Sequence, residues 1–340
     1  MMVREGGVTL ILIELILAIN LATLSNGDSL QLGFYRGKCG FADVEIIVAD
    51  VVTARFIRDP TIVAALLRLH FHDCFVNGCD ASILIDGGYS EKTAAPNLSL
   101  RGYDVIDDAK AAVDRLCPGV VSCADLIAIA ARDAVFLSGG GRYEVQTGRR
   151  DGLISLAQNV SIPGPSAYLS QVIPFFLNKG LTLTDMVVLL GAHSVGVANC
   201  SFIKDRLYNF RNTGIPDLTM EPFLANELRF RCPSNTTVDS RVKLDQNPFP
   251  LLDNSYYMQI LSNRGVLRID QELAMNPLTR AIVMNLARGF DFPTKFGAAM
   301  LKMGAIQVLT GTQGEIRTSC RATTNRPPIS LTNQLELELD

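Results

Sequence analysis

Residues 68–82 read Arg68-Leu69-His70-Phe71-His72-Asp73-Cys74-Phe75-Val76-Asn77-Gly78-Cys79-Asp80-Ala81-Ser82. The stretch closes an apolar-periodic segment, Thr61 to Cys74, in which Ile62, Ala65, Leu66 and Leu69 recur at helical spacing. On a helix, Arg68 and His72 share a face. His70 and His72, two apart, point in roughly opposite directions and cannot serve one site. A base and a permanent cation side by side suit a reaction that moves a proton while charge separates. An isolated R-x-x-x-H is more often a satisfied polar pair, so the residues after His72 carry more weight. Cys74 and Cys79 enclose four residues, so a bridge between them would pin a tight loop directly after the helix. Asp73, Asp80 and Ser82 bring side-chain oxygens to that loop, and Val76 and Gly78 add carbonyls. An oxygen-only ligand set favours a hard cation such as calcium.

Outward from this stretch the helical period dominates. Helices are expected at Phe41–Arg58, which stops at Asp59-Pro60, and at Asp104–Leu116 and Ala124–Leu137. Others fit Ala167–Lys179, Thr184–Leu190, Met220–Arg231, Asn254–Ser262, Thr279–Arg288 and Phe292–Met303. Strand signals are short and few, so the class is all-α. At 340 residues and 48% hydrophobic, the chain can bury one large core or two lobes sharing an interface. Its net charge of −3, with no basic run, argues against a nucleic-acid partner.

The N-terminus reads as an export signal. Arg4 precedes a mostly apolar run from Val8 to Leu24, and small and polar residues come next. Glu14 and Asn20 interrupt the run and argue against a stable membrane span. The expected organisation is a signal over residues 1–28, its cleavage point open between Ala22 and Ser29. A domain over 29–322 and a C-terminal extension over 323–340, a candidate propeptide, would come after it. Eight cysteines agree with export and suggest four disulfides; no pair has the C-x-x-C spacing of zinc ribbons. Sequence alone leaves on the order of 100 pairings open. Of the N-x-S/T sequons at Asn97, Asn159, Asn199 and Asn235, those at Asn159 and Asn235 lie in polar loops and are the better glycan acceptors.

Only three histidines occur, and the third, His193, ends an apolar helix in Leu189-Leu190-Gly191-Ala192-His193-Ser194-Val195-Gly196. A lone histidine there is more often a satisfied core residue. A neutral imidazole with an apolar flank is also what haem iron needs as an axial ligand. Such ligands donate their other N–H to a carboxylate, and Asp270, in Gly265-Val266-Leu267-Arg268-Ile269-Asp270-Gln271-Glu272-Leu273, is a candidate.

Taken together, R-L-H-F-H-D-C-F-V-N-G-C-D-A-S, G-A-H-S and D-Q-E-L closely resemble the plant secretory haem peroxidases (class III). The resemblance runs from about Gln31 to Cys320. It implies two helical lobes enclosing one haem b, two calcium ions and minimal β structure. The bridges would be Cys39–Cys117, Cys74–Cys79, Cys123–Cys320 and Cys200–Cys232. His72 matches the distal acid–base catalyst, Arg68 the transition-state stabiliser and Phe71 the aromatic that limits access to the iron. Asn97 matches the residue that holds the distal histidine's N–H, a role that would bury it and spoil its sequon. Glu91 matches the link from that network to the distal calcium. His193 would be the axial ligand with Asp270 behind it. Pro163, through its carbonyl, and Phe202, near the haem edge, match donor-binding positions. One calcium would be held by Asp73, Val76, Gly78, Asp80 and Ser82, the other by Ser194, Asp245, Leu251 and Asp253. The implied activity is reduction of hydrogen peroxide and oxidation of small phenolic donors in successive one-electron steps, through an oxidised haem. The implied setting is a monomer without stable membrane association, secreted to the cell wall. The C-terminal extension leaves the vacuole open as a destination.

Three departures from the family pattern stand out. Gly40 follows the first cysteine where proline is usual, Tyr143 stands where tryptophan is common, and Pro248 replaces a threonine that ligates the second calcium. A secreted calcium-binding or cell-wall protein without turnover would need a broken catalytic residue, and none is broken. An intracellular peroxidase conflicts with the cysteines and the signal.

Overall fold

The computed structural model describes residues 29–246 and 250–324. The expected export signal, Pro248 and the tail from 325 onward lie outside the described residues. Helices carry the structure. Helix α1 (Val44–Arg58) is capped by Asp43, whose carboxylate accepts from the Glu45 and Ile46 amides, and ends before Pro60. Val44, Val48 and Val52 form its buried stripe. The cap explains why the helix begins three residues after the expected Phe41, which is fully exposed. Helix α2 (Ile62–Cys74) follows at once. Helices α3 (Tyr103–Asp114) and α4 (Cys123–Leu137) complete the first lobe, with α1 and α2 both packed on α4. Nearly every residue of α4 is buried, so it serves as the lobe's axis.

The second lobe is built from α5 (Leu169–Leu177), α6 (Leu183–Leu190), α7 (Lys204–Tyr208), α8 (Pro222–Arg231), α9 (Ser255–Leu261), α10 (Arg268–Met275), α11 (Pro277–Arg288) and α12 (Phe292–Gly304). Of these, α9, α10 and α11 pack on one another, and α6 packs on both α11 and α12. Helix α6 starts in a capping box, with Thr182 and Asp185 each accepting from the other's backbone amide. The lobes meet where α2 touches α12 and the 3-10 turn Gly191–Val195 that continues α6. Thus α2 and the His193 turn lie against each other. Among the described residues the β structure is two antiparallel pairs, β1 (Gln31–Leu32) with β2 (Gln146–Thr147) and β3 (Val197–Asn199) with β4 (Arg241–Lys243), and isolated bridges from Arg150 to Leu309 and from Asp151 to Glu315.

All eight cysteines are paired, in the four bridges the resemblance implies. Cys123–Cys320 spans 197 residues. By loop-closure entropy alone it is worth about 5 kcal/mol. Cys74–Cys79 spans only 5, which makes shaping the loop after α2 its main role. No helix among the described residues is long and apolar enough to cross a membrane.

Candidate active site

Helix α2 presents His72 and Arg68 from one face, as the spacing requires. His72 is buried, and its Nδ1 lies 2.6 Å from Asn97 Oδ1. The Asn97 amide nitrogen donates to the Glu91 carbonyl at 2.7 Å. That bond fixes the amide orientation, so Oδ1 must accept and Nδ1 of His72 must carry the hydrogen. Nε2 is then the basic nitrogen, and it has no protein partner among the described residues. Burial first, and then the Arg68 charge, push the His72 pKa down to about 3, against a small opposing effect of Asn97. The imidazole is therefore a neutral base at any physiological pH. Asn97 is almost wholly buried, which disqualifies its sequon.

Arg68 donates to the Pro96 carbonyl at 2.8 Å and to Ser99 Oγ at 3.0 Å, so its guanidinium is held by the segment that also carries Asn97. Phe71 stands edge-on to His72, with ring centroids 5.5 Å apart, and packs on Phe75 and Phe176. His70 faces the other way. Its Nδ1 lies 3.5 Å from Cys74 Sγ, and burial, followed by Arg149, lowers its pKa to about 3. The His70, Cys74 and Cys79 side chains cluster tightly, but both sulfurs are bridged and cannot ligate a metal.

On the other side, His193 Nδ1 sits 2.7 Å from Asp270 Oδ1. Asp270 is completely buried, and a carboxylate can only accept, so Nδ1 again carries the hydrogen and Nε2 the lone pair. Burial opposes charging His193, yet the Asp270 carboxylate and its hydrogen bond outweigh it and raise the pKa. The Arg68 charge opposes that rise, and α2, which carries Arg68, packs against the Gly191–Val195 turn that carries His193. The His193 side chain keeps 27% of its surface open, and no residue described bonds its Nε2. Two imidazoles, each tied at Nδ1 and each with Nε2 unclaimed, are the kind of donors that could hold a haem iron and take a proton beside it.

The loop after α2 gathers three buried carboxylates, Asp73, Asp80 and Glu91. Burial, then Asp80 and Glu91, drive the Asp73 pKa well up, and burial pushes Glu91 up to about 8. Asp73 Oδ1 and Ser82 Oγ are buried without a hydrogen-bond partner. Orphaned oxygens beside mutually repelling acids fit a hard cation. The Val76 carbonyl faces a competitor, for Lys179 donates to it at 2.9 Å, but a carbonyl has two lone pairs. Gly78 adopts φ 107°, open only to glycine at low cost, and an added Cβ would collide with the Gln307 backbone.

The second ion's expected ligands also converge. Ser194 Oγ donates to the Leu251 carbonyl at 2.7 Å and accepts from the Asp253 amide at 3.3 Å. Asp245 is buried and accepts from Ser255 Oγ at 2.5 Å. Pro163 is half-buried and Phe202 is 40% exposed. Arg268 links their neighbourhoods, donating to the Ser166 carbonyl and pairing with Asp205, both at 3.2 Å. One residue of the site escaped the sequence reading. Tyr256 on α9 donates to Asp270 Oδ1 at 2.8 Å, and no local spacing in the sequence signals it.

Helical lobes, paired cysteines and two oriented imidazoles define a haem peroxidase, and known proteins agree. A family model described as peroxidase matches residues 48–289. The chain is 50% identical over 321 residues to Peroxidase 60 of Arabidopsis thaliana, covering 92% of this chain and 96% of that relative. It is 49% identical over 293 residues to Peroxidase 57 of the same plant, covering 86% and 92%. To Peroxidase N1 of Nicotiana tabacum it is 44% identical over 317 residues, covering 92% and 95%. The chain belongs to the peroxidase family and, within it, to the class III plant peroxidases. It is an enzyme that depends on haem and reduces hydrogen peroxide.

Proposed function

We propose that His193 Nε2 would hold one haem b, that His72 and Arg68 would act on the bound peroxide, and that small phenols are the electron donors. The observation that carries this reading is the pair of imidazoles with tautomers fixed by Asn97 and Asp270, one on α2 and the other on the turn packed against it. When bound, the haem would take up the two oxidising equivalents of peroxide and release them to donors one at a time. His72 Nε2 receives the first peroxide proton and returns it to the departing oxygen, which leaves as water. Arg68, pre-positioned by Pro96 and Ser99, stabilises the negative charge that grows on that oxygen. Asp270 raises the basicity of His193 and so favours the higher-valent metal. The Pro163 carbonyl accepts the hydroxyl of a phenol lying near Phe202. Turnover of guaiacol with peroxide by the haem-loaded protein tests the reading, and a protein that takes up haem yet leaves every phenol untouched would refute the donor class.

Asn97 acts through His72. Asn97→Val removes the acceptor that aims Nε2, and we expect the peroxide reaction to slow by up to about 100-fold, while haem content stays unchanged. Stopped-flow rates on the ferric enzyme check this.

Two calcium ions complete the reading. In the cation-free protein, Glu91 has its pKa raised to about 8 from an ordinary 4.5, so its contribution to stability is present at low pH and disappears as pH rises toward 8. A bound cation removes that loss. Chelation is therefore expected to lower Tm by several degrees more at pH 8 than at pH 5, a difference that calorimetry with and without calcium would measure. Four disulfides belong to an oxidising compartment, so we place the enzyme outside the cell, in the wall, with the extension after residue 322 as a candidate vacuolar address.

A further inference from the structure

Asp270 Oδ1 receives two hydrogen bonds, from His193 Nδ1 at 2.7 Å and from the Tyr256 hydroxyl at 2.8 Å. Its other oxygen, Oδ2, is buried and has no partner. Tyr256 and Asp270 are both fully buried, so no water competes for these bonds on the protein surface. The Tyr256 ring also stands perpendicular to the His193 ring, with centroids 6.1 Å apart. The phenol can only donate here, since a carboxylate offers no hydrogen.

We propose that Tyr256 is a positioning residue that limits how strongly Asp270 acts on His193, and thereby tunes the iron's preference between its ferric and ferrous states. The cause is shared charge. Two donors on one oxygen each neutralise part of it, so the pull of Asp270 on the His193 proton is weaker than a carboxylate bonded to the imidazole alone would exert. Hydrogen bonds to charged groups are roughly twice as strong as neutral ones, and in a dry site their effect is not screened. Without the phenol, Asp270 becomes the better acceptor, His193 gains imidazolate character, and the ferric state is favoured. Asp270 itself sets the direction of the effect and Tyr256 sets its size. The proposal rests on His193 being the axial ligand.

The test is Tyr256→Phe in the haem-loaded enzyme, read by the ferric/ferrous midpoint potential and by the iron–histidine stretching frequency of the ferrous form. We expect the equilibrium to move toward ferric by up to tenfold, about 59 mV for one electron, and the stretch to rise. The control is Tyr257→Phe. That hydroxyl donates to the Val187 and Val188 carbonyls, at 3.0 and 3.2 Å, and the ring is equally buried, but it does not touch Asp270. It should shift neither reading. Fluorotyrosine at position 256 keeps the volume and strengthens the donor, so it should move both readings the opposite way. It also serves if the phenylalanine variant fails to retain haem. Unchanged readings in Tyr256→Phe, an equal shift in Tyr257→Phe, or a fluorotyrosine shift of the same sign would each overturn the proposal. If the wild type itself shows no iron–histidine stretch, the axial assignment fails instead, and the two failures are thus told apart.

Discussion

His72→Ala is expected to slow the reaction of the ferric enzyme with hydrogen peroxide by at least about 100- to 10,000-fold, the usual cost of losing a positioned general base. The variant keeps His193, the residue proposed to hold the haem, so stopped-flow mixing of the haem-loaded protein measures the loss directly. His70→Ala is the control. It lies two residues away on the opposite side of α2, against the Cys74–Cys79 bridge, and its loss should leave the rate constant of the haem-loaded protein unchanged. The pH profile adds a second reading. Burial and then Arg68 depress the His72 pKa to about 3, so the base remains neutral from alkaline pH down to that range. The wild-type rate should hold level as pH falls and drop only as it approaches about 3. A wild-type rate that already halves near pH 6.5, the ordinary value for histidine, would mean that His72 is not the group taking the proton.

His193→Ala should abolish or severely weaken haem retention, because on the proposed reading this imidazole would hold the iron. Asp270 would then be left buried with its imidazole partner gone and only Tyr256 on Oδ1, an outcome that costs stability as well as cofactor. Absorbance of the purified variant gives the haem content, and added imidazole should restore part of it by filling the space. Full haem content with an unchanged five-coordinate spectrum would sink the assignment.

Legibility in the sequence followed the polarity of what each element buries. Helix α1 was readable because its inward stripe, Val44, Val48 and Val52, is apolar at helical spacing. Helix α10 was not, because its buried residues include Arg268, Asp270 and Gln271, which bond to Ser166, Asp205, His193 and Ile260 outside the helix. The five-residue α7 hides a buried Arg206 that pairs with Asp217 and the carbonyls of Gly265, Val266 and Leu267. A polar inward face erases the periodicity on which sequence reading depends.

The site divides the same way. Arg68, His72 and the loop to Ser82 are local in sequence, and helical spacing alone placed the first two on one face. His193 and Asp270 are 77 residues apart, so chemistry could nominate the pair and only the fold could join it. The cysteine pairing came from the family resemblance, not from spacing. Tyr256 was invisible, since a buried tyrosine in an apolar helix reads as core until its hydroxyl is seen on Asp270.

The central claim is that one iron lies between His193 and His72. Proton NMR of the ferric, cyanide-bound enzyme tests it most directly, because unpaired spin shifts the ring protons of histidines near the metal far outside the normal range. The account predicts two sets of shifted imidazole signals, one lost in His72→Ala and both present in His70→Ala. A spectrum with a single shifted histidine, or one whose second set disappears with His70 instead of His72, would contradict it.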